Sequence, residues 1–230
     1  MARAKTFTGG IHPAYNKDRT ASLAITRAQV PKVLVFPLSQ HIGAPCQPLV
    51  SVGERVLRGQ KIADSEARIS APIHSSVSGK VIAIELRPHP SGKDVMAIVV
   101  ENDSLDELAA PIAGSKRIEQ LSSAEIVNIV REAGIVGLGG AAFPTHFKLV
   151  PPPQAKIDMV ILNGAECEPY LTCDHRIMVE RPDDVVQGLR LLMKAVGVNK
   201  GYIGVEVNKP DAIDALNKAC AAYTDVQVVP

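Results

Sequence analysis

Apolar and polar positions follow two different rhythms along the chain. Between residues 31 and 103 the apolar residues come in short runs: Val33 to Phe36, Pro48 to Val52, Val81 to Leu86 and Val95 to Val100. Gly, Pro and Ser separate them at short intervals, the pattern of short strands in a small β barrel or sandwich. From Ser122 the period lengthens. Ser122-x-x-Glu125 is a capping box, and Ile126, Ile129, Val130 and Ala133 recur at helical spacing until Gly134 ends the run. Lys156 to Leu162 then reads as a buried strand. Asp183 to Val196 reads as a helix with Val185, Val186, Leu189, Leu192, Met193 and Val196 on one face and Gly197 as its stop. Gly201 to Val207 is a strand, Pro210 opens a third helix through Ala222, and Thr224 to Val229 is a last strand. Strand, helix, strand, helix, strand predicts a parallel α/β sheet with right-handed crossovers.

These rhythms divide the chain into an N-terminal arm (1–30), a β-rich domain (31–103), a polar linker (104–121) and an α/β domain (122–230). The final strand runs straight into Pro230, so the α/β domain is expected to be truncated at its C-terminal end. Composition narrows the class further. Hydrophobic residues are 46% and charged ones 21% of 230 residues, which excludes wholesale disorder. Lys and Arg total 25 against 24 Asp and Glu, so there is no electrostatic footprint for nucleic acid or an anionic membrane surface. The start lacks the apolar core of a signal peptide, and no apolar run nears the roughly 20 residues that span a bilayer. A cytoplasmic chain is expected. Cys46, Cys167, Cys173 and Cys220 form no C-x-x-C pair, which disfavours a disulfide framework or a cysteine-only metal site.

Candidate chemistry concentrates in two segments. The first is Gly134-Ile-Val-Gly137-Leu-Gly139-Gly140-Ala141-Ala142-Phe143-Pro144-Thr145-His146-Phe147-Lys148. Gly137, Gly139 and Ala142 satisfy a loose G-x-G-x-x-A, but a helix precedes the loop and Pro144 follows it. A dinucleotide fingerprint needs a strand before and a helix after, so that motif is rejected, and no Gly-Lys-Ser/Thr makes a P-loop. Consecutive glycines still let backbone N–H groups approach an anion or a flat ring, with Lys148 as a nearby cation and Phe143 as a stacking face. The bland alternative is a tight connector with Phe143 and Phe147 in the core. The second segment, Asn163-Gly164-Ala165-Glu166-Cys167-Glu168-Pro169-Tyr170, sets an amide and two carboxylates at the C-terminal end of a parallel strand, where open α/β sheets bind ligands. Glu206 and Asn208 end another strand in the same way. Cys167, Cys173 and His175 also have zinc-ligand chemistry, without standard spacing.

Val52-Gly53-Glu54-x-Val56-x-x-Gly59-Gln60-x-Ile62, with Ser70-Ala71-Pro72 and Ser78-Gly79-Lys80-Val81, resembles the biotinyl/lipoyl-type barrel-sandwich family. Carriers of that family place a modifiable Lys just before the Ala-Pro, and Asp64 to Ile69 contains none, so a docking or scaffolding module is expected. His74, in its polar turn, reads as a surface hydrogen-bonding residue.

The Gly-Leu-Gly-Gly-Ala-Ala-Phe-Pro-Thr loop and the Asn-Gly-Ala-Glu-Cys-Glu-Pro turn together resemble the RnfC subunit of the Rnf electron-transport complex, and more distantly the flavin- and NADH-binding subunit of respiratory complex I. Gly9-Gly10-Ile11-His12-Pro13, Gln40-His41-Ile42-Gly43-Ala44 and Asn208-Lys209-Pro210 extend the likeness over essentially the whole chain. The resemblance implies a Rossmann-like domain that binds FMN and NAD(H), behind a barrel-sandwich domain. It implies Gly139, Gly140 and Ala141 lining the FMN, Lys148 near its phosphate-ribityl chain, Asn163, Glu166 and Glu206 at the same site, and Phe143 and Glu168 addressing NADH. Hydride transfer between two cofactors needs position more than acid–base chemistry, so no general base is assigned. The implied partners are sister Rnf subunits on the cytoplasmic face of the membrane and, indirectly, ferredoxin. Two 4Fe–4S clusters are implied only for the longer family member. Leu138 stands where the complex I subunit has an Arg. A cobalamin-reductase-like flavoprotein subunit shares both segments, and a scaffold subunit with an empty site is the non-enzymatic alternative.

Overall fold

In the computed structural model, residues 11, 13–111, 117–138 and 140–230 are described. The chain separates into two compact units: residues 28–153, and residues 1–27 together with 154–230.

The first unit is the β-rich one. A four-stranded antiparallel sheet has the order β1 (Val33–Pro37), β7 (Asp94–Asn102), β6 (Gly79–Pro88), β3 (Arg55–Val56). A second antiparallel sheet joins β2 (Gln47–Pro48), β4 (Lys61–Asp64) and β5 (Ile73–His74). Inward residues of both sheets, among them Phe36, Val56, Ile62, Ile73, Val81 and Ile98, share one apolar core. Burial of alternate positions is what holds such short strands in register, because a one-residue slip would turn every apolar side chain to water. The β-strands number more than the four apolar runs suggest, since β3 and β5 are only two residues long and exist through their sheet partners.

Helix α1 (Ser123–Glu132) belongs to this same unit. Its start matches the sequence: Ser122 Oγ accepts from the Glu125 N–H at 3.3 Å, and Glu125 Oε2 accepts from the Ser122 N–H at 2.8 Å. Its C-terminal end is tied to the barrel by ions. Lys61 reaches Glu132 at 2.5 Å and Asp64 at 3.0 Å, while Arg131 reaches Asp64 at 3.0 Å and Glu132 at 2.5 Å. Burial opposes ionisation of Asp64, but the Ser65 N–H, Lys61 and Arg131 outweigh it and hold that carboxyl below its usual range. Lys61 is thus occupied as a strut, in keeping with a barrel that is no carrier. The stretch just past β7 is also anchored rather than loose: Arg55 pairs with Asp103 and Glu107 at 2.9 Å each, and Arg58 bonds the 107–109 backbone.

The second unit is a three-stranded parallel sheet in the order β10 (Val226–Val229), β9 (Gly201–Gly204), β8 (Val160–Asn163). Helices α4 (Pro182–Val196) and α5 (Pro210–Cys220) pack Val186, Leu189, Met193, Ala212 and Leu216 onto Leu162, Ile203, Val226 and Val228. Truncating a fully buried Leu in such a core costs about 2–5 kcal/mol. Between β8 and α4 lies a helix the apolar spacing did not announce, α3 (Cys173–Glu180).

The contact-based units differ from the segmentation expected from composition. Residues 1–27 group with the α/β sheet because the arm bonds along α3. Residues 122–153 group with the barrel because α1 is salt-bridged to β4 and the segment after it.

Candidate functional site

The glycine-rich loop folds on the barrel unit. It is pinched at its base by a bridge between Val136 and Pro144, with the Gly137 N–H donating to Phe143 O at 3.0 Å and the Thr145 N–H to Ile135 O at 3.0 Å. A single helical turn, α2 (Thr145–Lys148), follows. Helix α1 precedes the loop and no strand does, the context on which a dinucleotide fingerprint was rejected. Gly140 has φ +63°, and the space a Cβ would take is open to 4 Å. Ala142 adopts φ +48° without glycine's freedom, a strained conformation of the kind that clusters at functional sites. Gly139 lies outside the described residues. The Ala141 carbonyl accepts from the Ile42 N–H at 3.2 Å, which ties the loop to the Gln40–Ala44 motif. Phe143 meets Phe147 edge-on at 5.7 Å, and the Lys148 ammonium lies 5.5 Å over the Phe143 ring. Leu138, at the loop tip, is fully exposed at 102%.

The acidic turn lies in the α/β unit, at the C-terminal end of β8. Asn163 is exposed, and its Oδ1 accepts from the Ala165 N–H at 3.0 Å. Glu166 is only 2% exposed. Its Oε1 accepts from the Asp174 N–H at 2.9 Å and from the Cys173 thiol at 3.3 Å, so this carboxylate caps α3 from outside the helix. Its Oε2 is buried without a hydrogen bond. Burial pushes the Glu166 carboxyl up, but the Asp174 and His175 N–H groups, the Cys173 thiol and the Lys17 charge win, and it lies below its usual range. Its neighbour Asp174 goes the other way, raised by burial and by the charges of Glu166 and Glu168. Glu206, past the end of β9, pairs with Lys209, which is itself 2% exposed, and accepts from the Glu166 N–H at 3.5 Å. Glu168 is exposed, and Tyr170 holds φ +68°.

Asn163, Glu166, Glu168 and Glu206 are therefore parts of one polar neighbourhood in the α/β unit, while Gly140, Ala141, Phe143 and Lys148 are parts of one loop on the barrel unit. Two lysines escaped the sequence reading. Lys209 carried a faint signal in Asn208-Lys209-Pro210, just ahead of α5. Lys17 carried none, for it lies in a polar arm about 150 residues away in sequence. Cys167, Cys173 and His175 do not assemble: among the described residues the one grouping with metal-ligand chemistry is Glu166, Cys173 and Asp174, and His175 Nε2 is held by Asp211 at 2.8 Å.

Among the described residues no helix is long and apolar enough to cross a membrane. Residues 5–105 match the family model for the RnfC Barrel sandwich hybrid domain, and residues 130–230 match the Nuo51 FMN-binding domain. The RnfC-type subunit of the Na(+)-translocating ferredoxin:NAD(+) oxidoreductase complex of Acetobacterium woodii is 53% identical over 97% of this chain and 50% of its own length. Its counterpart in the proton-translocating ferredoxin:NAD(+) oxidoreductase complex of Clostridium ljungdahlii is 50% identical over 98% of this chain and 49% of its own. The equivalent subunit of an ion-translocating oxidoreductase complex from Rhodobacter capsulatus is 40% identical over 96% and 44%. Likeness to a solved NAD+-reducing [NiFe]-hydrogenase is weak, with TM-score 0.39 and 20% identity over 53% of this chain and 24% of that one. The chain spans about half the length of the curated relatives it matches. With a barrel-sandwich hybrid domain leading into an FMN-binding domain, it belongs to the RnfC family.

Proposed function

We infer that the chain is the FMN- and NAD(H)-binding portion of a peripheral subunit in a membrane electron-transport complex, acting on the cytoplasmic face beside its sister subunits. In this reading electrons pass between nicotinamide and iron–sulfur clusters carried beyond these residues, with ferredoxin reached indirectly. The observation that carries it is the match of residues 130–230 to an FMN-binding domain, in a chain that keeps both the glycine loop and the acidic turn.

The residues fit the cofactor chemically. Open space beside Gly140 leaves backbone bare for close approach, and the buried, unbonded Glu166 Oε2 is an acceptor still lacking a donor. FMN, when bound, supplies acceptance of a hydride pair and release of single electrons. The protein's tasks are to bind, orient and exclude water. Gly139, Gly140 and Ala141 offer backbone to the flavin, and Lys148 a positive charge to its phosphate-ribityl chain. Asn163 and Glu206 offer polar contacts, and Glu166 shapes the turn that presents them. Phe143 and Glu168 address NADH, by ring contact and by hydrogen bonding to a ribose or amide.

Titrating FMN with the chain and following flavin fluorescence tests this reading. Saturable quenching is expected, and Gly140→Val should weaken it by about tenfold or more, since a branched side chain blocks the bare backbone and resists positive φ. The circular dichroism of the barrel should not change. No quenching by the chain, or equal affinity of the variant, would defeat the assignment.

A further inference from the structure

The N-terminal arm, not the sheet, completes the acidic turn. Lys17 is only 13% exposed although its segment is otherwise a polar arm with a single 3-10 turn, Lys17–Arg19. Its ammonium donates to the carbonyl oxygen of Glu166 and, at 2.8 Å, to that of Leu171, the two ends of the turn that carries Glu168. It also lies 3.8 Å from Glu166 Oε2, the oxygen that has no hydrogen bond. Around it the arm closes the same backbone: the Tyr170 N–H donates to Tyr15 O at 2.7 Å, and the hydroxyls of Thr172 and Thr20 meet at 2.8 Å. Farther on, Arg176 donates to Ala21 O at 2.9 Å and the Ile25 N–H to Glu180 at 3.0 Å, so the arm follows α3 along its length.

We propose that Lys17 is a positioning residue for the cofactor site: it spans residues 166–171, balances the buried Glu166 charge, and so fixes the turn from which Glu168 projects. This rests on the reading of the acidic turn as part of the FMN/NAD(H) site. The physical case is that a buried carboxylate is tolerated only when charge and donors face it. Two of those donors come from α3, and the cation comes from the arm. Charge-assisted bonds to two carbonyls also hold a turn in which Tyr170 takes an unfavourable left-handed φ.

The test pairs two measurements on the full chain, flavin-fluorescence titration and amide hydrogen exchange. In Lys17→Met, FMN affinity should fall about tenfold. Exchange of the 166–175 amides should quicken while that of β6 and β7 is unchanged, and Lys17→Arg should recover part of both. Should Lys17→Met unfold the α/β unit, Lys17→Gln, which keeps a donor without the charge, carries the same readouts. If the wild-type chain binds FMN, a variant that leaves either readout at its wild-type value overturns the proposal. If the wild-type chain binds no FMN, the cofactor reading falls by itself. Exchange then decides for Lys17: quickening confined to 166–175 sustains its positioning role, and unchanged exchange overturns it.

Discussion

Glu166 joins structure and chemistry in a single side chain. One oxygen caps α3, the other faces Lys17, and its backbone N–H points to Glu206. Because its folded pKa is depressed, the carboxylate adds stability above its unfolded pKa, and that stability is lost as pH falls through the lower folded value. The α/β unit should therefore loosen in acid, starting below about pH 5, where an unfolded Glu begins to bind protons. Glu166→Gln should be less stable at neutral pH and show a shallower loss on acidification. Urea melts at pH 7 and pH 4, followed by exchange within α4 and α5, measure both. Equal acid sensitivity of the two proteins would show that the carboxylate does not act as described. Lys209 is the quieter counterpart, a buried cation whose charge is matched by Glu206 three residues before it.

Helices α1 and α3 show which secondary structure can be read locally. The signals for α1 all lie within its own dozen residues: a Ser-x-x-Glu box, helical apolar spacing and a glycine at its end. Those for α3 do not. Its N-cap residue Thr172 makes no capping bond of its own, and the cap comes from Glu166, while Arg176 spends its side chain on the arm. A segment as polar as Cys-Asp-His-Arg has no apolar stripe strong enough to announce itself. The two-residue strands β3 and β5 stayed hidden for the same reason, since their hydrogen bonds are supplied by distant partners. The end of α1 shows local and tertiary demands meeting at one residue. Gly134 takes φ +66°, and a Cβ there would overlap the carbonyl oxygen of Pro72 and crowd His74. Gly134→Ala should cost the barrel unit about 1–3 kcal/mol, the strain of a left-handed alanine plus a backbone overlap. A denaturant midpoint matching the wild type would contradict that packing.

Taken over the full chain, the units are not consecutive segments. The arm contributes hydrogen bonds to the acidic turn and α3, while α1 and the glycine loop belong with the barrel. Deleting residues 1–27 should accordingly speed exchange and proteolysis along α3 and the 166–171 turn, leaving β6 and β7 protected. Loss of protection in the barrel instead would mean that the arm serves the other unit. Much of the protein was nonetheless legible in its residues. Alternation and turn spacing are local properties, so they specified a barrel of short strands and then a parallel α/β sheet; the glycine loop and the acidic turn stood out because their residue types suit few other tasks. Pairing across 150 residues has no local signature. That Lys17 would be buried against Glu166, that Glu166 would cap a helix, and that Arg131 and Glu132 would lock α1 onto the barrel depended on the folded chain bringing those charges together. The energy of a buried ion depends on its neighbours in space, and only the tertiary structure selects them.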